Sequence, residues 1–397
     1  MEAAVSARPG EVRVSWWEES QPEARRSTAW TSVDEARDCT VQFLLTEGLR
    51  PGGRYRLLVE GRRKGATQVD CSTPGSFRTA PAATVPAPAR FTVVTGQSWL
   101  RRDDAERGHR IYPQMAALDP DFFVHTGDVV YHDKPAPFAK SVELARHKWN
   151  RVYGLEFQRS FHEQVPSWFM TDDHDVLKND CWPGQSYGAL SWDEGLAIYR
   201  EQTPTGERPY RSVRWGRDLE VWFVEGREFR SPNRLPDGPE KSIWSAEQKA
   251  WLKRTFAASD ATFRVLVSST PIVGPDRGNK NDNHANKGFQ TEGDELRAFL
   301  AGHKDAFVVC GDRHWQYSSC DPTTGLWEFS CGPTTDAHAG GFSESNRSEA
   351  HRYLKVCGGF LEVALEYDGD EPRLAFRHRG VDGQVLNADR RIPTSAR

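Results

Sequence analysis

The sequence predicts an α/β protein led by a small all-β module. Residues 122–133 (FFVHTGDVVYHD), 167–175 (SWFMTDDHD) and 306–315 (AFVVCGDRHW) each read as a short apolar run ending in a burst of Asp and His. Such runs suit buried strands, and in open α/β sheets ligands bind outside the carboxyl ends of the strands. The first 80 residues instead alternate in the manner of strands joined by turns. A stretch rich in Pro and Ala, residues 81–90 (PAATVPAPAR), separates the two parts. The expected organisation is a β domain over 1–80, a linker over 81–90 and a catalytic domain over 91–397.

In the first 80 residues, EVRVSWW and CTVQFLL look like strands, GLRPGGRYRLLVEGR adds a Pro-Gly-Gly turn with alternation, and GSFRTAP closes the module. The turn and Tyr55 resemble a fibronectin type III-like sandwich, within which Cys39 and Cys71 could pair or stay free. Residues 91–95 form the first strand of the larger part and end in Gly96, Gln97 and Ser98. A helix is expected over 103–118, and residues 134–163 read as mostly helical. Trp182, Tyr187 and Trp192, in and just after the loop at 179–191, either shape an entrance or pack.

Residues 219–224 read as a strand running into EGREFR. Arg227 and Arg230 past its end suit a phosphate oxyanion, with surface salt bridges as the alternative. Ser245 and Gln248 read as a capping box opening a helix to about Ala258. A strand at 263–268 precedes a long loop, GPDRGNKNDNHANKGF, which offers Asn281, Asp282, Asn283 and His284 as donors. A helix over 291–303 leads to the GDRH strand, and 359–367 with 373–379 reads as a closing antiparallel pair.

The chain has 397 residues, 37% hydrophobic and 27% charged, enough for a large core and more than one domain. With 52 basic and 56 acidic residues and no basic run, nucleic acid is not an expected partner. No apolar run is long enough to span a bilayer. The seven cysteines form no CxxC pair. Three clusters of carboxylate and imidazole converging on one pocket would repel one another, and bound cations relieve that repulsion.

The series GDVVY, DDHD, EGREFR, SAEQKAWLKRTFAAS, the Asn-rich loop and GDRHW resembles, in that order, the alkaline phosphatase D-like (PhoD-like) branch of the calcineurin-like metallophosphoesterases. The resemblance spans roughly residues 1–380. It implies a four-layer α/β/β/α sandwich behind the β domain, with a dinuclear metal centre. It implies that Asp128 bridges the metals, that Tyr131, Asp173, Asp312 and His314 are further ligands, and that His174 donates a proton to the leaving group. Asp175 would orient that imidazole or support the metal ligands from behind, and is also expected toward substrate.

The family's first motif holds a Cys where this chain has Gly96 in TGQSW. Without the thiolate, two or more divalent ions such as Ca²⁺, Mn²⁺, Mg²⁺ or Zn²⁺ are expected rather than Fe. Gln97 and Asn283 are the expected replacement ligands, with His284, Arg227 and Arg230 toward substrate. The implied reaction is hydrolysis of a small phosphate ester, of phosphodiesterase or alkaline phosphatase type, by metal-activated water. A same-fold hydrolase of a sulfate ester or phosphotriester, and a non-catalytic binding protein on a degenerate scaffold, are the rival readings. Family resemblance places the protein in the periplasm or outside the cell, with the cytoplasm as the alternative.

Overall fold

Apolar residues at every position of a strand point alternately to its two faces, so such strands must be covered on both. Phe122 and Val124 turn to one face of their strand (Phe122–His125), while Phe123 turns to the other. Val265 and Val267 face one way from Phe263–Ser268, and Leu266 faces the opposite way. The structure, a computed structural model, describes residues 8–206 and 208–394. Two sheets stack in it through the inward-facing sets.

The first sheet has six strands, in the order Val385–Arg391, Glu371–Arg379, Phe360–Asp368, Ala89–Val94, Phe122–His125, Ser167–Phe169. The second has seven, in the order Arg211–Trp215, Leu219–Phe223, Phe263–Ser268, Ala306–Cys310, Trp327–Cys331, Gln316–Cys320, His351–Lys355. Phe91, Val93, Phe122 and Val124 meet Val221, Phe223, Val265, Val309 and Phe329 between the sheets. Phe329 stacks on Phe376 of the opposite sheet with ring centres 3.9 Å apart.

Helices close the two outer faces. Ala246–Ala258 and Gln290–Ala301 set Leu252, Phe256, Leu296 and Leu300 against Trp222, Leu266 and Val308 of the seven-stranded sheet. Each such buried side chain contributes about 1.5–3 kcal/mol. Ile111–Ala116 and Glu156–His162 cover the six-stranded sheet through Ile111, Tyr112, Met115 and Phe161 packed on Val94, Phe123 and Phe360. The layers are α/β/β/α, as expected.

The N-terminal part departs from the expected sandwich. Gly10–Glu18, Arg26–Ser27, Thr31–Val33, Arg54–Arg62 and Cys71–Arg78 form one antiparallel sheet. CTVQFLL is not a strand: the Gln42 amide donates to the Arg200 and Thr203 carbonyls, drawing the segment onto the helix Trp192–Gln202 instead of a sheet edge. Cys39 and Cys71 are free thiols. The helix expected over 103–118 is confined to Ile111–Ala116, because Asp104 turns the chain by accepting from the N–H groups of Glu106 and Arg107. Ser245 caps its helix, but Gln248 does not complete a capping box. Its amide holds both backbone groups of Glu225, at 2.7 and 2.8 Å.

Candidate metal centre

The carboxyl ends of the two sheets meet at one edge, stitched by a bridge between Thr95 and Pro333. Asp312 donates its backbone N–H to Thr95 Oγ1 at 3.0 Å, bringing the GDRH turn onto the first sheet. Asp128 and Asp312 follow glycines and have φ values of 56° and 60°, a region Asp tolerates better than most residues. A Cβ on Gly127 would collide with Asp172, so only glycine lets the first two Asp bursts close on each other.

Asp175 fixes this arrangement. Its carboxylate accepts from the N–H groups of Asp128 and Asp172, each at 2.9 Å, and of Val130 at 3.0 Å. It is fully buried, and its hydrogen-bond partners are these backbone groups and not the His174 ring. The residue that holds His174 is Asp133, whose Oδ1 lies 2.6 Å from Nδ1. Asp133 was within the first Asp/His burst but had no assigned role.

Asp128, Asp173, His174, Asp312 and His314 line one polar cavity of about 400 Å³. Ligand atoms of Asp128, Asp173 and His174 lie within 4.8 Å of one another, the one such group of His, Cys, Asp and Glu among the described residues. Tyr131 Oη donates to Asp128 Oδ2 at 2.9 Å and lies 3.4 Å from His314 Nε2. Of the expected residues, these six come together, and Asp282 of the long loop also lines the cavity.

Electrostatics at this cavity favour a cation. Burial, then the neighbouring carboxylates of Asp173, Asp172, Asp175 and Asp312, push the Asp128 carboxyl well above its usual range. Asp128 Oδ1 is buried without a hydrogen-bond partner among the described residues. Burial also raises Asp312, to about 6, against the pull of Arg313. For Asp173 burial is outweighed by Arg227 and His174, which hold it well below the carboxylate range. Burial keeps His314 neutral, its affinity for protons well below normal. Carboxylate, phenol and neutral imidazole donors facing one cavity fit divalent ions.

Other expected residues lie elsewhere. Gln97 is buried, accepts from the Tyr112 hydroxyl and donates to the Val129 carbonyl at 3.3 Å, so its amide supports the GD turn. Asn283 donates to Asp276 at 2.9 Å and Asp282 at 3.0 Å, inside its own loop. His284 is buried against Glu292 at 2.9 Å. Arg227 and Arg230 are not surface residues and do not line the cavity. Arg227 pairs with Asp172, and Arg230 bonds Asn233 and the Asp282 carbonyl. The exposed cations at the cavity are instead Arg101 and Lys134, with half-buried Arg277 and Lys280. His338 also lines it. None of these five had been singled out.

A four-layer α/β/β/α sandwich whose strand ends gather buried carboxylates, a tyrosine and imidazoles at one cavity defines the class by fold and site. The sequence profile of PhoD-like phosphatases matches residues 91–358, and the chain belongs to that family. A solved structure of PhoD is 15% identical, with a TM-score of 0.79, over 98% of this chain and 84% of that one. The purple acid phosphatase PPD1 from yellow lupin (Lupinus luteus) seeds is 13% identical, with a TM-score of 0.67, over 96% of this chain and 69% of that one. No curated protein sequence matches the chain.

Proposed function

We propose that the protein hydrolyses an anionic phosphate ester in the cavity at the joined strand ends, with residues 91–397 carrying the reaction and residues 1–80 a separate module. The observation that carries this reading is the convergence of Asp128, Tyr131, Asp173, His174, Asp312 and His314 on one buried polar cavity. Asp128, Tyr131, Asp173, Asp312 and His314 are the residues that would hold divalent cations. When bound, such ions supply Lewis-acid polarisation of the phosphoryl group and lower the pKa of water.

The chain's own groups supply the rest. Asp133 accepts from His174 Nδ1–H, which leaves Nε2 toward the cavity to exchange a proton with the leaving oxygen. Arg101, Lys134, Arg277 and Lys280 ring the cavity and suit the charge of a phosphate ester. Arg227 acts indirectly: it neutralises Asp172, whose neighbour Asp173 faces the cavity.

The test is reconstitution. Purified protein is stripped with chelator, then assayed on bis(p-nitrophenyl) phosphate and p-nitrophenyl phosphate with each divalent cation added back. The reading expects loss of turnover on stripping and recovery with a divalent ion. Hydrolysis unchanged by chelation, with no cation found by elemental analysis, would rule it out. The ratio of rates on the two esters decides between diesterase and monoesterase.

A further inference from the structure

The loop after the strand Trp327–Cys331 brings a third imidazole to the centre, beside His174 and His314. His338 Nδ1 lies 2.8 Å from the Gly96 carbonyl oxygen. A carbonyl only accepts, so Nδ1 carries the hydrogen and Nε2 is left with a free lone pair. That Nε2 lies 3.5 Å from Tyr131 Oη, the same atom approached by Asp128 Oδ2 at 2.9 Å and His314 Nε2 at 3.4 Å. Tyr131 has one hydroxyl hydrogen, and Asp128 takes it at the shortest of these distances. His338 therefore presents a buried lone pair to a place with no proton left to share.

The position is built rather than incidental. The His338 ring lies 4.1 Å from that of His314. The loop is tied to the centre on both sides: Thr334 Oγ1 donates to the same Gly96 carbonyl at 3.3 Å, and Gly340 N–H donates to the His314 carbonyl at 2.9 Å. Gly358 N–H holds the Asp336 carboxylate at 2.9 Å. Gly96 itself has φ +57°, and a Cβ there would stand 3.0 Å from His314 Nε2. The backbone at 96 thus gives no side chain to the cavity, and its carbonyl aims one from elsewhere.

We infer that His338 is a metal ligand of this chain, binding through Nε2 the cation shared by Tyr131, Asp128 and His314, with the Gly96 carbonyl as the group that orients it. Asp128 Oδ2, His314 Nε2 and His338 Nε2 lie 2.9, 3.4 and 3.5 Å from Tyr131 Oη, and His314 Nε2 lies 4.0 Å from Asp128 Oδ2, spacings that suit donors about 2.0–2.2 Å from one ion. A carbonyl behind the non-ligating nitrogen is the usual support for a metal-bound imidazole. Two imidazoles in the set favour a nitrogen-taking ion such as Zn²⁺ or Co²⁺ over Ca²⁺ or Mg²⁺. This rests on the metal-centre reading above.

The experiment uses the full chain stripped of metal and titrated with Co²⁺, following its visible absorption. His338→Ala, His338→Gln and, as a positive control, His314→Ala are compared with wild type, and circular dichroism of the stripped proteins reports folding. His338→Gln can still donate to the Gly96 carbonyl, so it keeps the loop anchored if His338→Ala loosens it. The expected result is a Co²⁺ affinity weakened at least about tenfold in both His338 variants, with altered absorption bands. Wild-type affinity and bands in a folded His338→Gln would overturn the assignment of His338 while leaving the centre standing. A wild type that binds no Co²⁺ and contains no other cation would remove the centre itself, and this inference with it.

Discussion

Asp133 Oδ1 sits 2.6 Å from His174 Nδ1, and the same carboxylate accepts the Asn179 backbone N–H through Oδ2 at 3.1 Å. Both oxygens are thus committed, one to the imidazole and one to the loop beyond it. The imidazole is held in one tautomer and one orientation, with Nε2 toward the cavity. Burial tends to raise the Asp133 carboxyl, but His174 and the Asn179 N–H outweigh it and bring it below the usual range.

Asp133→Asn should therefore lower kcat about 10- to 100-fold with little change in KM. It should also change the pH dependence of kcat, because the Asp133 carboxyl, held below its usual range, no longer contributes a titrating charge beside the cavity. Steady-state kinetics over pH checks both. A residue serving only stability would leave the pH profile in place.

Asp128→Asn and His314→Ala should each take turnover to background without changing the circular dichroism. Asp128 Oδ1 has no hydrogen-bond partner to lose among the described residues, and the His314 ring meets the Tyr131 hydroxyl at 3.4 Å and Asp128 Oδ2 at 4.0 Å, both inside the centre. Hydrolysis of bis(p-nitrophenyl) phosphate, measured beside metal content, is the check.

Arg227→Gln should act on stability. Its guanidinium is 1% exposed and its partner Asp172 is fully buried. Removing one member of a buried pair leaves the other uncompensated, at a cost of about 3–5 kcal/mol. Chemical denaturation should show that loss. A change in KM with unchanged stability would point back to a direct role on substrate.

Lys134→Ala and Arg277→Ala, at the cavity mouth, should instead raise KM severalfold while leaving kcat and stability near wild type. The effect should shrink in high salt, since Lys134 is exposed.

Glu292 supplies a pH test away from the centre. Burial raises its carboxyl, but the His284 imidazole, the Ser242 hydroxyl and the Ile243 N–H outweigh that and bring it to about 2. Its affinity for protons is lower folded than unfolded, so its contribution is present above the unfolded value near pH 4.5 and fades as pH falls toward 2. Glu292→Gln should cost about 3 kcal/mol at pH 7, with the gap to wild type closing in acid. Urea unfolding at a series of pH values measures it.

The strand-to-burst pattern was legible because it needs only local composition: an apolar run for a doubly covered strand, then Asp and His where the chain leaves the sheet. Trp327–Cys331 obeys the same pattern, since Gly332, Asp336 and His338 follow it. Its burst is spread over more residues, and so His338 escaped notice. The two arginines misled because EGREFR lies just past a strand end, where either solvent or protein can surround a guanidinium. Only the packing of the loop 274–289 and of Asp172 decides that they are buried. Gln97 and Asn283 carry amides that suit a ligand or a loop equally well, and neighbours distant in sequence, Tyr112 for one and Asp276 for the other, settle which.

The seam between the two sheets has a bearing on how the protein is made. Asp128, Tyr131 and Asp173 follow strands of one sheet and Asp312 and His314 follow a strand of the other, so no early portion of the polypeptide holds the whole donor set. On the metal-centre reading proposed above, the full set of donors can gather only after the GDRH turn has left the ribosome. A product truncated after the DDHD burst would keep Asp128, Tyr131, Asp173 and His174 and lack Asp312 and His314, so it could offer only part of the donor set.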